Sequence, residues 1–132
     1  MKSIGFMLGL VAAATGATAA APVRRAVPIT VGVNNERFTP ARIMLRRGVS
    51  YVLTIRNRSD RRHNFSAPEF FRLARVAPRD AVLVRNDRVD VKAGRSATVH
   101  FRAPDTPNAV YRFRSTNLRD AATNMRGEIL VR

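Results

Sequence analysis

The chain contains no cysteine, and lysine occurs only at Lys2 and Lys92. Lacking cysteine, it can form no disulfide, carry no lipid-modified N-terminal cysteine and offer no thiolate to a metal. Acidic residues are also few, at 9 Asp and Glu against 24 Lys and Arg, which leaves a formal charge of +15. With lysine so rare, nearly all the positive charge is arginine, whose planar fork of donors suits phosphate and carboxylate groups. Long apolar runs are missing as well. The apolar stretch from Ile4 to Ala14 falls short of a bilayer span, so no transmembrane anchor is expected.

That stretch has another reading. Lys2 gives a positive start, Ile4 to Ala14 a short apolar centre and Ala17-Thr18-Ala19 a small-x-small cleavage pattern, together the mark of an export signal. The expected division is a signal peptide over 1–19, a flexible leader over 20–27 and one folded domain over 28–132. Cleavage is expected before Ala20, with Ala21 as the alternative, and a periplasmic location follows from it. At 132 residues and 45% hydrophobic content the chain can bury one small core.

Within 28–132 the apolar residues alternate with polar ones over short runs, the pattern of half-buried strands. Ile29, Val31 and Val33 share a face, as do Ile43 and Leu45, and Tyr51, Leu53 and Ile55, with antiparallel pairing expected among these runs. Arg47-Gly48-Val49 and Lys92-Ala93-Gly94-Arg95 read as hairpin connections. Strands are expected over Val110 to Ser115 and Gly127 to Val131, joined by an irregular loop from Thr116 to Arg126. Between Ser66 and Asp80, Phe70, Phe71, Leu73 and Ala74 fall at helical spacing, so a short helical crossover belongs there. About eight short strands with regular turn signals predict an all-β two-sheet sandwich.

The order of these pieces resembles the cupredoxin family. Phe38-Thr39-Pro40 followed by Ile43-x-Leu45 and Gly48 is similar to its opening strands. Asn57 and then His63-Asn64-Phe65 resemble the segment that carries its first histidine ligand, and Ala67-Pro68-Glu69-Phe70-Phe71 continues in that style. Tyr111-x-Phe113-x-Ser115-Thr116 leading to Met125-x-Gly127-Glu128-Ile129 is similar to its last ligand loop. The resemblance implies a Greek-key β-sandwich with a copper site of two histidines, a cysteine and an axial methionine. Laid on that frame, His63 holds the first histidine position and Met125 the methionine position. Ser115 stands where the cysteine belongs, and Asp120 where the second histidine belongs.

A blue-copper centre depends on the soft thiolate. A serine hydroxyl stays protonated near neutral pH, so electron transfer of that kind is not expected here. Two readings of the remaining residues stand open. His63, Asp120 and Met125 could hold copper or another divalent ion weakly. Alternatively, His63 is a relic bonded to a backbone carbonyl, Met125 fills space, Asp120 pairs with Arg119 or Arg126, and Ser115 satisfies a buried hydrogen bond.

His100, between Val99 and Phe101, is expected on a wet surface. The acids Asp80, Asp87, Asp90 and Asp105 fall in or near turns and form no paired-carboxylate constellation. No nucleophile elbow, zinc spacing, phosphate loop or dinucleotide fingerprint occurs, so no enzyme activity is expected. The arginines lack the interleaved aromatics of a single-strand groove, which argues against nucleic acid. The expectation is a monomeric accessory module for an anionic partner, either an acidic protein or the phosphate-rich envelope surface. Arg112 with Arg114, and Arg56 with Arg58, are the candidate anion-binding residues.

Overall fold

The computed structural model describes residues 25–132 together with Gly5 and Gly9. The expected signal peptide and most of the expected leader therefore lie outside the described residues. The first strand begins at Val27, one residue inside the span assigned to the leader.

Among the described residues, ten strands form two five-stranded sheets. In chain order they are β1 (Val27–Val33), β2 (Phe38–Thr39), β3 (Arg42–Leu45), β4 (Ser50–Asn57), β5 (His63–Ser66), β6 (Arg75–Val76), β7 (Arg88–Val91), β8 (Ser96–Arg102), β9 (Ala109–Arg114) and β10 (Arg126–Val131). One sheet has the order β2-β1-β4-β8-β6 and the other β3-β10-β9-β5-β7. The all-β sandwich expected from the alternation is therefore present. Alternate residues of each strand turn inward: Val31, Leu53, Ile55, Val99 and Phe101 from one sheet meet Ile43, Leu45, Phe65, Val91, Phe113 and Ile129 from the other. Aromatic rings dominate the middle. Phe65 stacks on Phe113 with centroids 4.5 Å apart, and Phe38 meets Phe113 edge-on at 5.1 Å.

The short helix expected after Ser66 is α1 (Pro68–Leu73), with proline at its start, where a missing N–H costs nothing. It buries Phe70 and Phe71, and Phe70 packs edge-on against Phe101 at 5.2 Å, so the helix plugs the open side of the sandwich. A 3₁₀ turn follows at Pro78–Leu83.

Three expectations about connectivity are corrected. Strands β1 and β4 pair in parallel, from Val27 opposite Tyr51 to Val33 opposite Asn57, and β3 pairs in parallel with β10. The turn at Gly48 joins β3 to β4, which lie in different sheets, and the turn at Gly94 joins β7 to β8, also in different sheets. Both glycines adopt positive φ, +67° and +69°, as tight reversals demand, yet each reversal carries the chain across the sandwich and closes no hairpin. The third correction concerns the loop after Ser115. It contains a helical turn, α2 (Leu118–Ala122), ended by Asn124 at a φ of 63°.

Candidate functional site

Three connections converge at one end of the sandwich. The loop after β4 delivers His63, the end of β9 delivers Ser115, and α2 delivers Asp120 before the chain re-enters the core at Met125. Local bonding fixes each arm. The Asn57 side chain donates to the carbonyls of Arg61 and Val91 at 2.7 and 3.1 Å and accepts from the Ser59 amide at 2.9 Å. It thereby ties the 58–62 loop to the neighbouring strand. On the other arm, the left-handed Asn124 turns the chain so that the Ser115 amide donates to the Met125 carbonyl at 3.1 Å. The Met125 amide in turn donates to the Asp120 carbonyl at 3.2 Å.

The four positions singled out in the sequence are thus brought together, and all four are buried. His63 is 0% exposed and Asp120 1%. Oδ2 of Asp120 is the hub: it lies 2.5 Å from His63 Nδ1 and accepts from the Ser115 hydroxyl at 2.5 Å. Ser115 Oγ also accepts the Asn64 amide at 3.2 Å. Arg61 stands 3.7 Å from the other Asp120 oxygen. The far ring nitrogen of His63, Nε2, lies 3.1 Å from Oδ1 of Asn35.

Donor and acceptor roles follow from these contacts. Asn35 Oδ1 accepts from Arg61 Nε at 3.1 Å, and its amide nitrogen donates to Asp60 at 2.9 Å. The side-chain orientation is therefore fixed, and the atom facing His63 is an oxygen. Nε2 must donate. At the other nitrogen a single proton lies between Nδ1 and Asp120 Oδ2. Whichever of the two atoms carries it, both ring nitrogens are committed. The arrangement differs from a hydrolytic triad, in which the imidazole stands between hydroxyl and carboxylate. Here the carboxylate stands between the other two and accepts the hydroxyl's hydrogen bond.

Several expected contacts are replaced. His63 bonds Asp120 and Asn35 where a backbone carbonyl was expected. Asp120 pairs with His63, Ser115 and Arg61, and not with Arg119 or Arg126. Ser115 does satisfy a buried hydrogen bond, twice over. Met125 is buried against the loop and is joined to Ser115 and Asp120 through its backbone alone, by the Ser115 amide and the Asp120 carbonyl. His100 is only half exposed. Its amide and its Nδ1 both lie 2.8 Å from Asp80 Oδ2, so the side chain straps the 3₁₀ turn to β8. Those bonds hold the Asp80 carboxyl below its ordinary range, the backbone N–H of His100 being the largest cause.

The sequence reading missed Asn35 and Arg61. Asn64 was noted only as part of a motif, although a polar residue beside a buried histidine in a strand signals a second polar layer. Asn35 lies 28 positions before His63 and carries no such signal. The four candidate anion-binding arginines are all exposed, but Arg112 and Arg114 lie on β9 while Arg56 lies on β4 of the other sheet and Arg58 just beyond it. They form two faces on opposite sides of the molecule.

Among the described residues, no group of three or more His, Cys, Asp or Glu side chains is placed to hold a metal ion. No helix among them is long and apolar enough to cross a membrane.

A family model described as a cupredoxin-like domain matches residues 5–85, a stretch that takes in His63 and ends before Ser115. No curated protein matches the chain by sequence. Among solved structures, the reduced auracyanin of Roseiflexus castenholzii superposes with a TM-score of 0.60 at 18% identity, covering 81% of this chain and 98% of that one. Auracyanin A, a "blue" copper protein from Chloroflexus aurantiacus, gives 0.53 at 14% identity, covering 80% and 99%. A multi-copper oxidase from Pediococcus acidilactici gives 0.60 at 15% identity over 79% of this chain and 25% of that one. At these identities the similarity is one of fold.

Proposed function

Because the chain belongs to the cupredoxin-like domain family, we propose that it is an exported, non-enzymatic binding module that keeps the family's sandwich without its redox centre and uses arginine to engage an anionic partner. The observation that carries this reading is the closed network at His63, Asp120 and Ser115. A type 1 copper site takes two imidazoles and a thiolate in a plane, with a weak axial methionine. The residues present do not fit that ion. Position 115 carries a hydroxyl whose proton is bound to Asp120, and both nitrogens of the one histidine are already hydrogen-bonded to protein oxygens. The hydrogen bonds that Asp120 makes with His63 and Ser115 fill the role that an ion would otherwise have in holding the three loops together.

The same network weighs against catalysis. The serine is 1% exposed and its hydroxyl is held by the buried Asp120 carboxylate, so it is not presented to a substrate. The excess of arginine then supplies the binding chemistry, since guanidinium forks pair with phosphate or carboxylate in two-point contacts. Export follows from the N-terminal pattern of Lys2, the apolar run and Ala17-Thr18-Ala19.

The test is a Cu(II) titration of the purified protein, read by native mass spectrometry and visible absorption, alongside His63→Ala and the double variant Ser115→Cys/Asp120→His. We expect no stoichiometric copper in the parent and an intense visible charge-transfer band only in the double variant. One-to-one copper on the parent, lost in His63→Ala, would replace this reading with metal handling through His63, Asp120 and Met125. A blue parent that cycles reversibly by one electron would overturn it outright.

A further inference from the structure

The outer face of the sheet built on β3, β10 and β9 carries a pattern that the sandwich does not require. Registered neighbours form rows across the three strands. Arg126 stands directly opposite Arg114, and Arg42, Glu128 and Arg112 form the next row. Met44, Leu130 and Val110 form a third. Beyond this apolar row, the exposed Arg46 and Arg132 come immediately after the ends of β3 and β10. Met44 is 46% exposed and Val110 55%. An apolar stripe is thus bracketed by arginine on both sides.

The charges on this face are poorly matched from within. Directly opposed residues on antiparallel strands have Cβ atoms about 5 Å apart, and like charges there are destabilising. Arg114 and Arg126 nevertheless face each other. Among the described residues, Arg112, Arg114 and Arg126 make no salt bridge, whereas Arg42 holds Glu128 at 3.6 Å. Arg112 and Arg126 line two shallow clefts of about 480 and 360 Å³, the second also bordered by Arg72 and Arg114. Unneutralised guanidinium groups around open clefts are available to external oxyanions.

We propose that this face docks on a membrane surface rich in anionic phospholipid, with Arg112, Arg114 and Arg126 taking headgroup phosphates and Met44 and Val110 resting among them. The inference rests on the anionic-partner reading above and narrows it to one face and one ligand class. Rows two residues apart on a strand are about 7 Å apart in the plane of the face, so a face lying flat on the bilayer brings the apolar row and the neighbouring arginine rows to the headgroups together. Each basic residue near such a surface strengthens attachment about fivefold, and the apolar row adds contact that salt does not screen.

The experiment is flotation of the purified protein with phosphatidylcholine vesicles and with mixed phosphatidylcholine–phosphatidylglycerol vesicles. The triple variant Arg112→Gln/Arg114→Gln/Arg126→Gln is compared with Arg56→Gln/Arg58→Gln/Arg75→Gln, which removes equal charge from the other sheet. Thermal melts confirm that both fold. Expected are binding to the mixed vesicles only, about a hundredfold weaker affinity for the first triple and a much smaller loss for the second. The pair Met44→Ser/Val110→Ser should weaken binding most at high salt. Equal losses in both triples would overturn the docking face while leaving an anionic partner in place. Binding to soluble polyphosphate without binding to the mixed vesicles would overturn the lipid assignment alone. Binding to neither would sink the anionic reading as well.

Discussion

Asp120 satisfies two buried partners with one oxygen, and its removal should expose how much the network contributes. In Asp120→Ala the His63 ring and the Ser115 hydroxyl lose their common acceptor inside the protein. Breaking a buried, hydrogen-bonded pair on one side costs about 3 kcal/mol or more. Ser115→Ala removes one donor to Asp120 and frees the Asn64 amide but leaves the His63–Asp120 contact in place, so about 1–2 kcal/mol is expected. Urea unfolding of both variants checks the order, and equal losses would mean that Asp120 is not the hub of the network. Asp80 offers a pH test. Its carboxyl lies below the ordinary value of 3.8, mainly because it accepts the His100 amide. A depressed carboxyl contributes stability that is complete above its unfolded value and fades as pH falls through the folded one. Protection of the His100 amide, taken relative to its intrinsic exchange rate at each pH, should therefore fall only below about pH 4, and Asp80→Asn should abolish that dependence. At this scale, positions 63, 115, 120 and 125 were legible because the ligand frame is a spacing. Their bonds were not, since Asn35 and Arg61 arrive from other loops that no spacing connects.

Among the elements, β10 leaves no room for a side chain at Gly127. Any Cβ at Gly127 would overlap the Phe113 ring and the Ala41 carbonyl, so the glycine sets the distance at which β9, β10 and the start of β3 can pack. Gly127→Ala should cost about 3 kcal/mol by overpacking. Gly32→Ala is the natural comparison, since the nearest atom there is the Thr39 carbonyl at 3.6 Å and ordinary contact results. It should be neutral or mildly stabilising, by up to about 1 kcal/mol. Chemical denaturation of the two variants would show whether space, and not glycine itself, is what the strand requires. Strands were legible because each buries alternate residues on one side. Pairing was not legible at Gly48 or Gly94, because a reversal looks the same whether the next strand lies beside the last or across the core. The helical turn at Leu118–Ala122 was hidden for another reason: five residues are too few to display a 3.6-residue period.

For the molecule as a whole, the sum of charge was legible and its distribution was not. A net +15 could be spread evenly, yet Arg112, Arg114 and Arg126 gather on one sheet while Arg56 and Arg58 occupy the other side. Even spreading and clustering predict different responses to anions. Self-repulsion of a basic chain is relieved by any salt, because screening at 0.1 M acts over about 10 Å and does not depend on the anion's shape. Clustered guanidinium groups add a second effect, since a tetrahedral oxyanion can bridge two forks in the folded chain and finds no such arrangement in the unfolded one. Thermal stability should therefore rise from low to moderate sodium chloride, and rise further in phosphate at equal ionic strength. Replacing Arg112, Arg114 and Arg126 by glutamine should remove the phosphate increment and leave the chloride response nearly unchanged. Melting curves of the parent and the triple variant in the two salts measure both terms. An increment that survives the substitution in full would show that phosphate acts by its general exclusion from the protein surface and not through these arginines.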